Sequence, residues 1–345
     1  MSARRIRILI VDDSALVRRL LTQQLASVPD FEVVGCATDP YAARDRILEL
    51  QPDVITLDIE MPRMDGLEFL ERVMRYHPLP VVIVSSLAPE GSDAAFRALE
   101  LGAIEIVAKP RNQYSAPDVR DGLIRAIRAA GQAKVAPRAR PAAGARPVVR
   151  GVSALKTTDR VVAIGASTGG TVALERVILG LPAAIPGIVI VQHMPLGMTA
   201  PFSRRLQSLT KLTVREARDG DVIAPGLVLV APAGHHAVVH RSGAQLVVRL
   251  KDGPRVHHQR PAVDILFKSV AAAAGQNAIG VLLTGMGADG AEGLLAMKDA
   301  GAETIGESEE SCVVYGMPRA AAELGAVKRV VALDEVANTI VRACA

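Results

Sequence analysis

Short, continuous apolar runs recur along this chain, and most are followed by stretches whose apolar residues have helical spacing. Runs of this kind are typical of strands buried on both faces of a parallel sheet. Strands that alternate with helices predict an α/β fold with helices on both faces of the sheet. Because 345 residues exceed what one hydrophobic core usually organises, we expect two such doubly wound domains.

Polar residues stand at the ends of the strands predicted in the first part of the chain. These strands cover residues 6–11, 31–36, 53–58, 80–86 and 103–108. Asp12 and Asp13 follow the first strand, Asp58 ends the third, Ser85 lies at the end of the fourth and Lys109 follows the fifth. The carboxyl ends of parallel strands meet at one crevice, where three carboxylates repel one another and their oxygens suit Mg²⁺. We therefore expect a Mg²⁺ site beside a hydroxyl and an ammonium group that can contact an added phosphoryl group.

Three motifs in this part of the chain carry a family resemblance: L-I-V-D-D, L-D-I-E-M-P-R-M-D-G and A-K-P. With them, residues 5–128 resemble a receiver domain of two-component response regulators, and we predict a (βα)5 receiver domain over residues 1–128. The resemblance implies that Asp58 accepts the phosphoryl group from a histidine kinase of the chemotaxis type. It also implies roles for the other polar residues: metal binding by Asp12, Asp13 and Asp58, a switch hydroxyl on Ser85 and a positive charge on Lys109.

One position departs from the receiver pattern. Ile106 stands three residues before Lys109, where the family often has an aromatic switch residue. The departure leaves open how phosphorylation is relayed through side-chain rotation, but it does not affect capture of the phosphoryl group.

Residues 129–156 are rich in Ala, Pro, Arg and Gly and show little periodicity, which predicts a flexible linker. This segment holds six basic side chains and no acidic ones. Without those six, the chain would carry two net negative charges instead of four positive ones. Since the folded parts are near neutral and the chain has no Trp, we expect no nucleic-acid partner.

The pattern resumes in a predicted second domain, residues 157–345. Residues 161–171 read V-V-A-I-G-A-S-T-G-G-T, a strand that turns into a helix at Ser167 and matches the nucleophile-elbow motif G-x-S-x-G. His193 closes the apolar run 188–193, and Asp289 follows the run 278–284. A serine needs a base to take its proton, and a carboxylate can orient an imidazole base. These three residues are therefore the predicted catalytic triad, in a chain order different from that of α/β-hydrolases.

Other features of this domain are less specific. The remaining histidines lie in turn-rich or hairpin-like stretches, and residues 226–250 predict a β-hairpin insertion with its turn at 241–243. The glycines at 285–290 let backbone N–H groups around Met286 approach a substrate, as in an oxyanion hole. The same G-M-G-A-D-G also satisfies the dinucleotide pattern G-x-G-x-x-G, with Glu307 downstream. A receiver-controlled, nucleotide-dependent enzyme is therefore the alternative, and a non-enzymatic regulator is a further one.

The motifs I-G-A-S-T-G-G, V-Q-H-M-P and L-T-G-M-G-A-D-G make residues 159–345 resemble the catalytic domain of chemotaxis protein-glutamate methylesterases. The resemblance implies a Rossmann-like α/β esterase domain with Ser167 as nucleophile, His193 as base, Asp289 as its orienter and the Met286 N–H as oxyanion donor. It implies removal of methyl groups from glutamates on chemoreceptor cytoplasmic helices, with release of methanol, and deamidation of receptor glutamines. These reactions serve adaptation in chemotaxis, and the esterase itself needs no cofactor.

The expected location is the cytoplasm, without membrane insertion. The three cysteines are odd in number and far apart, and no apolar run is long enough to span a bilayer. The N-terminus passes into a strand pattern without a signal-peptide region. We expect the unphosphorylated receiver to cover the triad and phosphorylation at Asp58 to loosen that contact.

Overall fold

A computed structural model describes residues 4–61, 64–85, 92–109, 117–135 and 160–345. The chain divides into two compact units, Met1–Ala143 and Gly144–Ala345. The predicted linker 129–156 lies mostly outside the described residues. Its first residues belong to a helix that continues to Gln132, past the predicted end of the first domain. The boundaries 1–128, 129–156 and 157–345 otherwise stay predictions.

The first unit is a five-stranded parallel sheet in the order β2-β1-β3-β4-β5, with helices between successive strands. Its elements are β1 (Ile6–Val11), α1 (Ala15–Ala26), β2 (Phe31–Ala37), α2 (Pro40–Leu50), β3 (Val54–Leu57), α3 (Gly66–Tyr76), β4 (Val81–Ser85), α4 (Ser92–Leu101), β5 (Glu105–Ala108) and α5 (Pro117–Gln132). The strands β3 and β4 are buried along their whole length, as the apolar runs predict.

Local capping explains where three helices of this unit begin. The side chains of Ser14, Asp39 and Asp65 accept hydrogen bonds from the backbone N–H groups that open α1, α2 and α3. The third strand is shorter than predicted and ends at Leu57, so that Asp58 stands just beyond it. A carboxylate in that position is at the crevice rather than within the sheet.

The second unit is a seven-stranded parallel sheet in the order β14-β13-β12-β6-β7-β9-β8, with helices on both faces. Its elements are β6 (Val161–Ala166), α6 (Gly170–Leu179), β7 (Gly187–Gln192), α7 (Thr199–Leu209), β8 (Thr213–Glu216), β9 (Leu227–Val230), β10 (His236–Ser242), β11 (Gln245–Lys251), α8 (Val263–Ala274), β12 (Ala278–Leu282), α9 (Ala291–Asp299), β13 (Glu303–Glu307), α10 (Met317–Glu323), β14 (Arg329–Val331) and α11 (Leu333–Cys344). The predicted two-domain α/β class is confirmed.

The hairpin insertion is present but shorter than predicted. Its strands β10 and β11 pair antiparallel, and Ser242 faces Gln245 across a two-residue turn at Gly243 and Ala244. The prediction placed this turn at 241–243, which is too early. The predicted extended region also included β9, which is not part of the hairpin because it is a buried strand that pairs parallel to β7 and β8.

Four elements near the C-terminus were not predicted: β13, α10, β14 and α11. The strand β14 has only three residues and is largely exposed, unlike the longer buried runs that predict the other strands. Within the described ranges, none of the helices combines the length and apolar character needed to cross a bilayer.

Candidate active site and receiver site

The three residues of the predicted triad follow three adjacent strands, β12, β6 and β7. Strands β6 and β7 pair with Ala166 opposite Gln192, and Ser167 and His193 come next on the two strands. This register places Ser167 and His193 side by side at the carboxyl edge of the sheet. The crossover after β6 leads to β7 and the crossover after β12 leads to β13, in opposite directions along the sheet. This reversal is the topological switch point where open α/β sheets bind ligands.

The turn after β6, residues 167–169, is the nucleophile turn. Gly169 has φ of 79°, in the left-handed region that favours glycine, and precedes the first residue of α6. The buried side chain of Gln192 links this turn to the end of β7, since its Nε2 donates to the backbone oxygens of Ser167 at 2.9 Å and His193 at 3.0 Å. These bonds hold the chain segments of the nucleophile and the base at a fixed separation.

The structure brings His193 and Asp289 into direct contact, with 2.9 Å between His193 Nε2 and Asp289 Oδ2. Asp289 also accepts two backbone N–H groups at the start of α8, from Val263 at 2.8 Å and Asp264 at 2.9 Å. Burial disfavours the charged carboxylate, but these hydrogen bonds outweigh burial and leave the pKa of Asp289 below its ordinary value. Asp289 is therefore an ionised acceptor at neutral pH.

An ionised Asp289 determines the tautomer of His193. Since Asp289 can only accept, we assign the proton of the neutral imidazole to Nε2. The other ring nitrogen, Nδ1, is then the basic one. The described residues show no hydrogen bond between His193 and the Ser167 hydroxyl, although the strand register makes the two residues neighbours.

The glycine turn, residues 285–290, follows β12 and faces the nucleophile turn. A Cβ on Gly285 would lie 2.7 Å from the Cβ of Ser167, so only glycine permits this approach. Met286 is half-buried, and none of the described residues accepts a hydrogen bond from its backbone N–H. A backbone N–H with no acceptor among the described residues, next to the glycine that approaches Ser167, is the kind of donor that an oxyanion hole requires.

Glu307 does not occupy the position that a dinucleotide site would need. The dinucleotide pattern assigns the downstream acidic residue to a ribose hydroxyl. Here Glu307 is buried at the end of β13 and accepts the Thr284 N–H at 2.8 Å and the Ser311 hydroxyl at 3.1 Å. Asp289, within the same glycine pattern, is bound to His193. The geometry therefore argues against the nucleotide-dependent alternative.

Several residues that contact the predicted triad or its surroundings were not predicted from the sequence. Gln192 and the N–H groups at the start of α8 were missed, although V-Q-H-M-P includes the glutamine. His257 was treated as an unremarkable turn residue, but its Nε2 lies 3.0 Å from Oδ2 of the buried Asp264. No sequence signal reveals that contact, because the two residues lie on either side of an irregular turn.

The predicted receiver residues also converge. Lys109 Nζ lies 2.6 Å from Asp58 Oδ2 and 3.1 Å from Asp12 Oδ2, and both carboxylates are buried. Burial disfavours the lysine charge, but the two carboxylates outweigh it and raise the pKa of Lys109. Ser85 is buried at the end of β4, and its backbone oxygen accepts the Lys109 N–H at 2.9 Å. Ile106 is buried opposite Ile83, within the sheet.

The acidic residues fit a small divalent cation. Carboxylate oxygens of Asp12, Asp13 and Asp58 lie within 4.8 Å of one another. Asp12 Oδ2 has no hydrogen-bond partner among the described residues, although it lies within ion-pair distance of Lys109. Burial, together with repulsion from Asp12, raises the pKa of Asp58 to about 6 despite its contact with Lys109. A cation bound by oxygen ligands would relieve both effects.

These features define a class of protein: a receiver-type α/β domain joined to an α/β domain with a serine and a His–Asp pair at its switch point. Comparisons with known proteins agree. The family described as CheB methylesterase matches residues 162–340, and the response regulator receiver domain matches residues 8–116. The chain belongs to the CheB methylesterase family.

The similarity extends over nearly the full length. A relative from Syntrophus aciditrophicus, named protein-glutamate methylesterase/protein-glutamine glutaminase 2, is 53% identical and covers 98% of this chain and 99% of its own. A Pseudomonas aeruginosa protein of the same name is 50% identical and covers 99% of this chain and 97% of its own. The crystal structure of the Thermotoga maritima CheB methylesterase catalytic domain is similar with a TM-score of 0.53 and 36% identity, over 54% of this chain and 99% of that chain.

Proposed function

We propose that this protein is a phosphorylation-activated serine hydrolase that removes methyl groups from glutamate side chains of chemoreceptors and deamidates receptor glutamines. The observation that supports the proposal best is the His193–Asp289 pair beside Ser167 at the switch point of the second sheet. An ester or amide carbonyl needs a nucleophile, a base and donors for a transient oxyanion. The residues around this edge of the sheet can supply all three.

The chemistry proceeds in two steps. His193 Nδ1 takes the proton of Ser167 as its hydroxyl oxygen attacks the methyl ester carbonyl, and the Met286 N–H donates to the developing oxyanion. The C–O bond to the methoxy group then breaks, and methanol leaves with the proton from His193. Water, activated by the same imidazole, releases the glutamate and regenerates Ser167. With glutamine as substrate, ammonia replaces methanol as the leaving group. Asp289 stabilises the transient imidazolium throughout.

Asp58 accepts the phosphoryl group in the receiver domain from a histidine kinase of the chemotaxis type. Asp12, Asp13 and Asp58 would hold Mg²⁺, which neutralises negative charge on the phosphoryl group when bound. Lys109 and Ser85 would contact the added phosphoryl oxygens. A phosphoryl group on Asp58 adds negative charge beside Lys109 and the acidic cluster. If this charge favours one of two conformations of the protein, the population shifts toward that conformation.

The proposed substrates are the cytoplasmic helices of methyl-accepting chemoreceptors, and the proposed output is adaptation in chemotaxis. We place the protein in the cytoplasm, in agreement with three cysteines that are all free thiols, of which Cys312 and Cys344 are buried.

The decisive experiment measures methanol release from a receptor fragment methylated on its glutamates, with and without acetyl phosphate as phosphodonor. We expect release by the full chain and a higher rate with the phosphodonor. In Asp58→Asn, the rate should no longer respond to the phosphodonor. Absence of methanol release under both conditions would refute the esterase, and an unchanged response of Asp58→Asn would refute the phosphorylation site.

A further inference from the structure

Thr284 lies where β12 gives way to the glycine turn, and its polar groups all have partners. Its backbone carbonyl accepts the N–H of Ser167 at 3.0 Å. Its hydroxyl oxygen lies 3.0 Å from the backbone oxygen of Thr168, to which it donates. Thr284 is therefore bonded twice to the nucleophile turn, once through its backbone and once through its side chain.

The same hydroxyl also connects to the segment that supports the glycine turn from its other side. The Val314 N–H donates to Thr284 Oγ1 at 3.0 Å, and the Gly285 N–H donates to the Val314 oxygen at 3.1 Å. The Gly285 oxygen in turn accepts the Met317 N–H at 2.8 Å, at the start of α10. The backbone immediately before Met286 is thus fixed on both sides.

Glu307 anchors Thr284 from the neighbouring strand. Only 1% of its surface is exposed, and its two carboxyl oxygens accept the Thr284 N–H and the Ser311 hydroxyl. Burial raises the pKa of Glu307 although both hydrogen bonds favour its charged form. A carboxylate is costly to bury, and the bond to the Thr284 N–H connects this one to the residue that precedes the glycine turn.

We propose that Thr284, held by Glu307, is a positioning residue that sets the distance between the Ser167 hydroxyl and the Met286 N–H. The inference rests on the proposed function, in which that N–H stabilises the oxyanion. Donors act only within about 2.7–3.1 Å of the oxyanion, and a misplacement of about 1 Å can cost about 100-fold in rate. The effect should fall on kcat, because the interaction forms in the transition state and not with bound substrate.

Thr284→Val tests this role, because valine keeps the shape of threonine and lacks its hydroxyl. The second sheet offers a matched control in Thr304 of β13, which is fully buried and makes the same two types of bond. Its hydroxyl donates to the Ala326 oxygen at 2.7 Å and accepts the Lys328 N–H at 3.0 Å. We expect both valine variants to lose similar thermal stability. Only Thr284→Val should lose kcat, by tenfold to 100-fold, with KM changed less than twofold.

Two milder variants keep the test informative if Thr284→Val does not fold. Thr284→Ser retains the hydroxyl, and we expect its kcat to stay within threefold of that of the unmodified protein. Ser311→Ala removes one hydrogen bond to Glu307, together with the bonds of the same hydroxyl to the Ser308 oxygen and the Leu333 N–H, and changes no residue of the two turns. We expect a threefold to tenfold loss of kcat, again with unchanged KM.

The proposed function is checked separately, with methanol release by the unmodified chain and by Ser167→Ala. If the unmodified chain is inactive, the esterase proposal fails and the positioning role that rests on it is overturned as well. If it is active and Ser167→Ala is not, two results overturn the positioning role. One is a kcat of Thr284→Val or Ser311→Ala equal to that of the unmodified chain. The other is equal loss in Thr284→Val and Thr304→Val, which would mean that lost stability alone reduces the rate.

Discussion

Asp58 and Asp289 are buried to the same degree, but their pKa values shift in opposite directions. Their exposed fractions are 1% and 2%, and each follows a parallel strand, Asp58 directly after β3 and Asp289 in the glycine turn after β12. Burial is the largest influence on both and favours the protonated form. The pKa of Asp58 rises to about 6, whereas that of Asp289 falls below its ordinary value. Burial alone therefore does not determine the charge of these carboxylates.

The neighbours explain the difference. Asp289 accepts His193 and two N–H groups of a helix start, and three well-placed donors stabilise its charge. Asp58 has Lys109 and one long bond from the Glu60 N–H at 3.2 Å, and it faces the negative charge of Asp12. Asp289 is thus charged at neutral pH, as the proposed orienter of His193 must be. The pKa of Asp58 lies close to neutral pH, so that a bound cation or a phosphoryl group can change its protonation.

Ser167→Ala tests the catalytic half of this comparison and should have the largest effect. Without the hydroxyl there is no nucleophile for the ester, and we expect methanol release to fall by at least about 10⁴-fold. Methanol release from methylated receptor fragment measures the loss. Phosphorylation of Asp58 by acetyl phosphate is the control and should proceed normally, because the serine belongs to the other unit. Continued methanol release at even a hundredth of the original rate would identify a different nucleophile.

Asp289→Asn should reduce kcat by about 10²–10⁴-fold, because loss of the orienting carboxylate in serine hydrolases costs up to this amount. Asparagine has one acceptor oxygen, so its NH₂ group must face either His193 and the Val263 N–H, which share Oδ2, or the Asp264 N–H, which binds Oδ1. Asp219→Asn is the matched control, since Asp219 also accepts a backbone N–H, from Leu250, but is exposed. We expect its kcat to be unchanged. Equal kcat in the two variants would mean that Asp289 does not orient the base.

Much of this comparison could be predicted from the sequence. Apolar runs that end in a polar residue identify both the strands and the crevice, and they predicted Asp12, Asp58 and Lys109 as neighbours in the first unit. In the second unit, the same reasoning predicted that His193 and Asp289 would meet, and the 2.9 Å contact agrees. The role of Ser167 stays a prediction, supported by strand register.

The opposite pKa shifts of Asp58 and Asp289 could not be predicted, because they depend on contacts between distant segments. Two donors to Asp289 are backbone N–H groups at the start of α8. Nothing in the sequence P-A-V-D indicates that these groups bind a distant carboxylate. The hydrogen bonds of Thr284 depend on the pairing of β12 with β13 and on a segment after β13 whose sequence has no regular pattern. Patterns reveal which residues reach an edge of a sheet, but the partners of a buried polar group follow from packing.

The raised pKa of Asp58 predicts a pH dependence of stability that is opposite in sign to that of most carboxylates. Its folded value, about 6, exceeds the ordinary 3.8, so the folded state binds more protons between these values. Stability should therefore fall as the pH rises from about 4 to 7, by up to about 3 kcal/mol. Denaturant unfolding of the unmodified chain and Asp58→Asn measures this. The free energy of unfolding of the unmodified chain, minus that of Asp58→Asn, should fall over that range.

Asp30 provides a control with the opposite sign in the same unit. Arg128 donates to both of its carboxyl oxygens, at 2.8 and 2.9 Å, and this hydrogen bonding lowers the pKa of Asp30. Its contribution to stability is present above pH 3.8 and is lost as the pH falls through its folded pKa. The free energy of unfolding of the unmodified chain, minus that of Asp30→Asn, should therefore not fall as the pH rises from 4 to 7. Parallel curves for the two variants would mean that the charge of Asp58 is not destabilising.

Addition of Mg²⁺ should change the free energy of unfolding less than the changes above. It tests whether the metal binds the ionised carboxylate of Asp58. At ten times its Kd, a ligand that binds only the folded state stabilises it by about 1.4 kcal/mol. We expect this gain at pH 7.5 and less at pH 5, because Asp58, with its pKa near 6, is mostly protonated there. Asp13→Asn removes an exposed carboxylate of the acidic cluster and should abolish the gain without removing the pH dependence due to Asp58. Equal stabilisation at both pH values, or in Asp13→Asn, would place the cation elsewhere, and the acidic pocket would then have to tolerate phosphorylation without it.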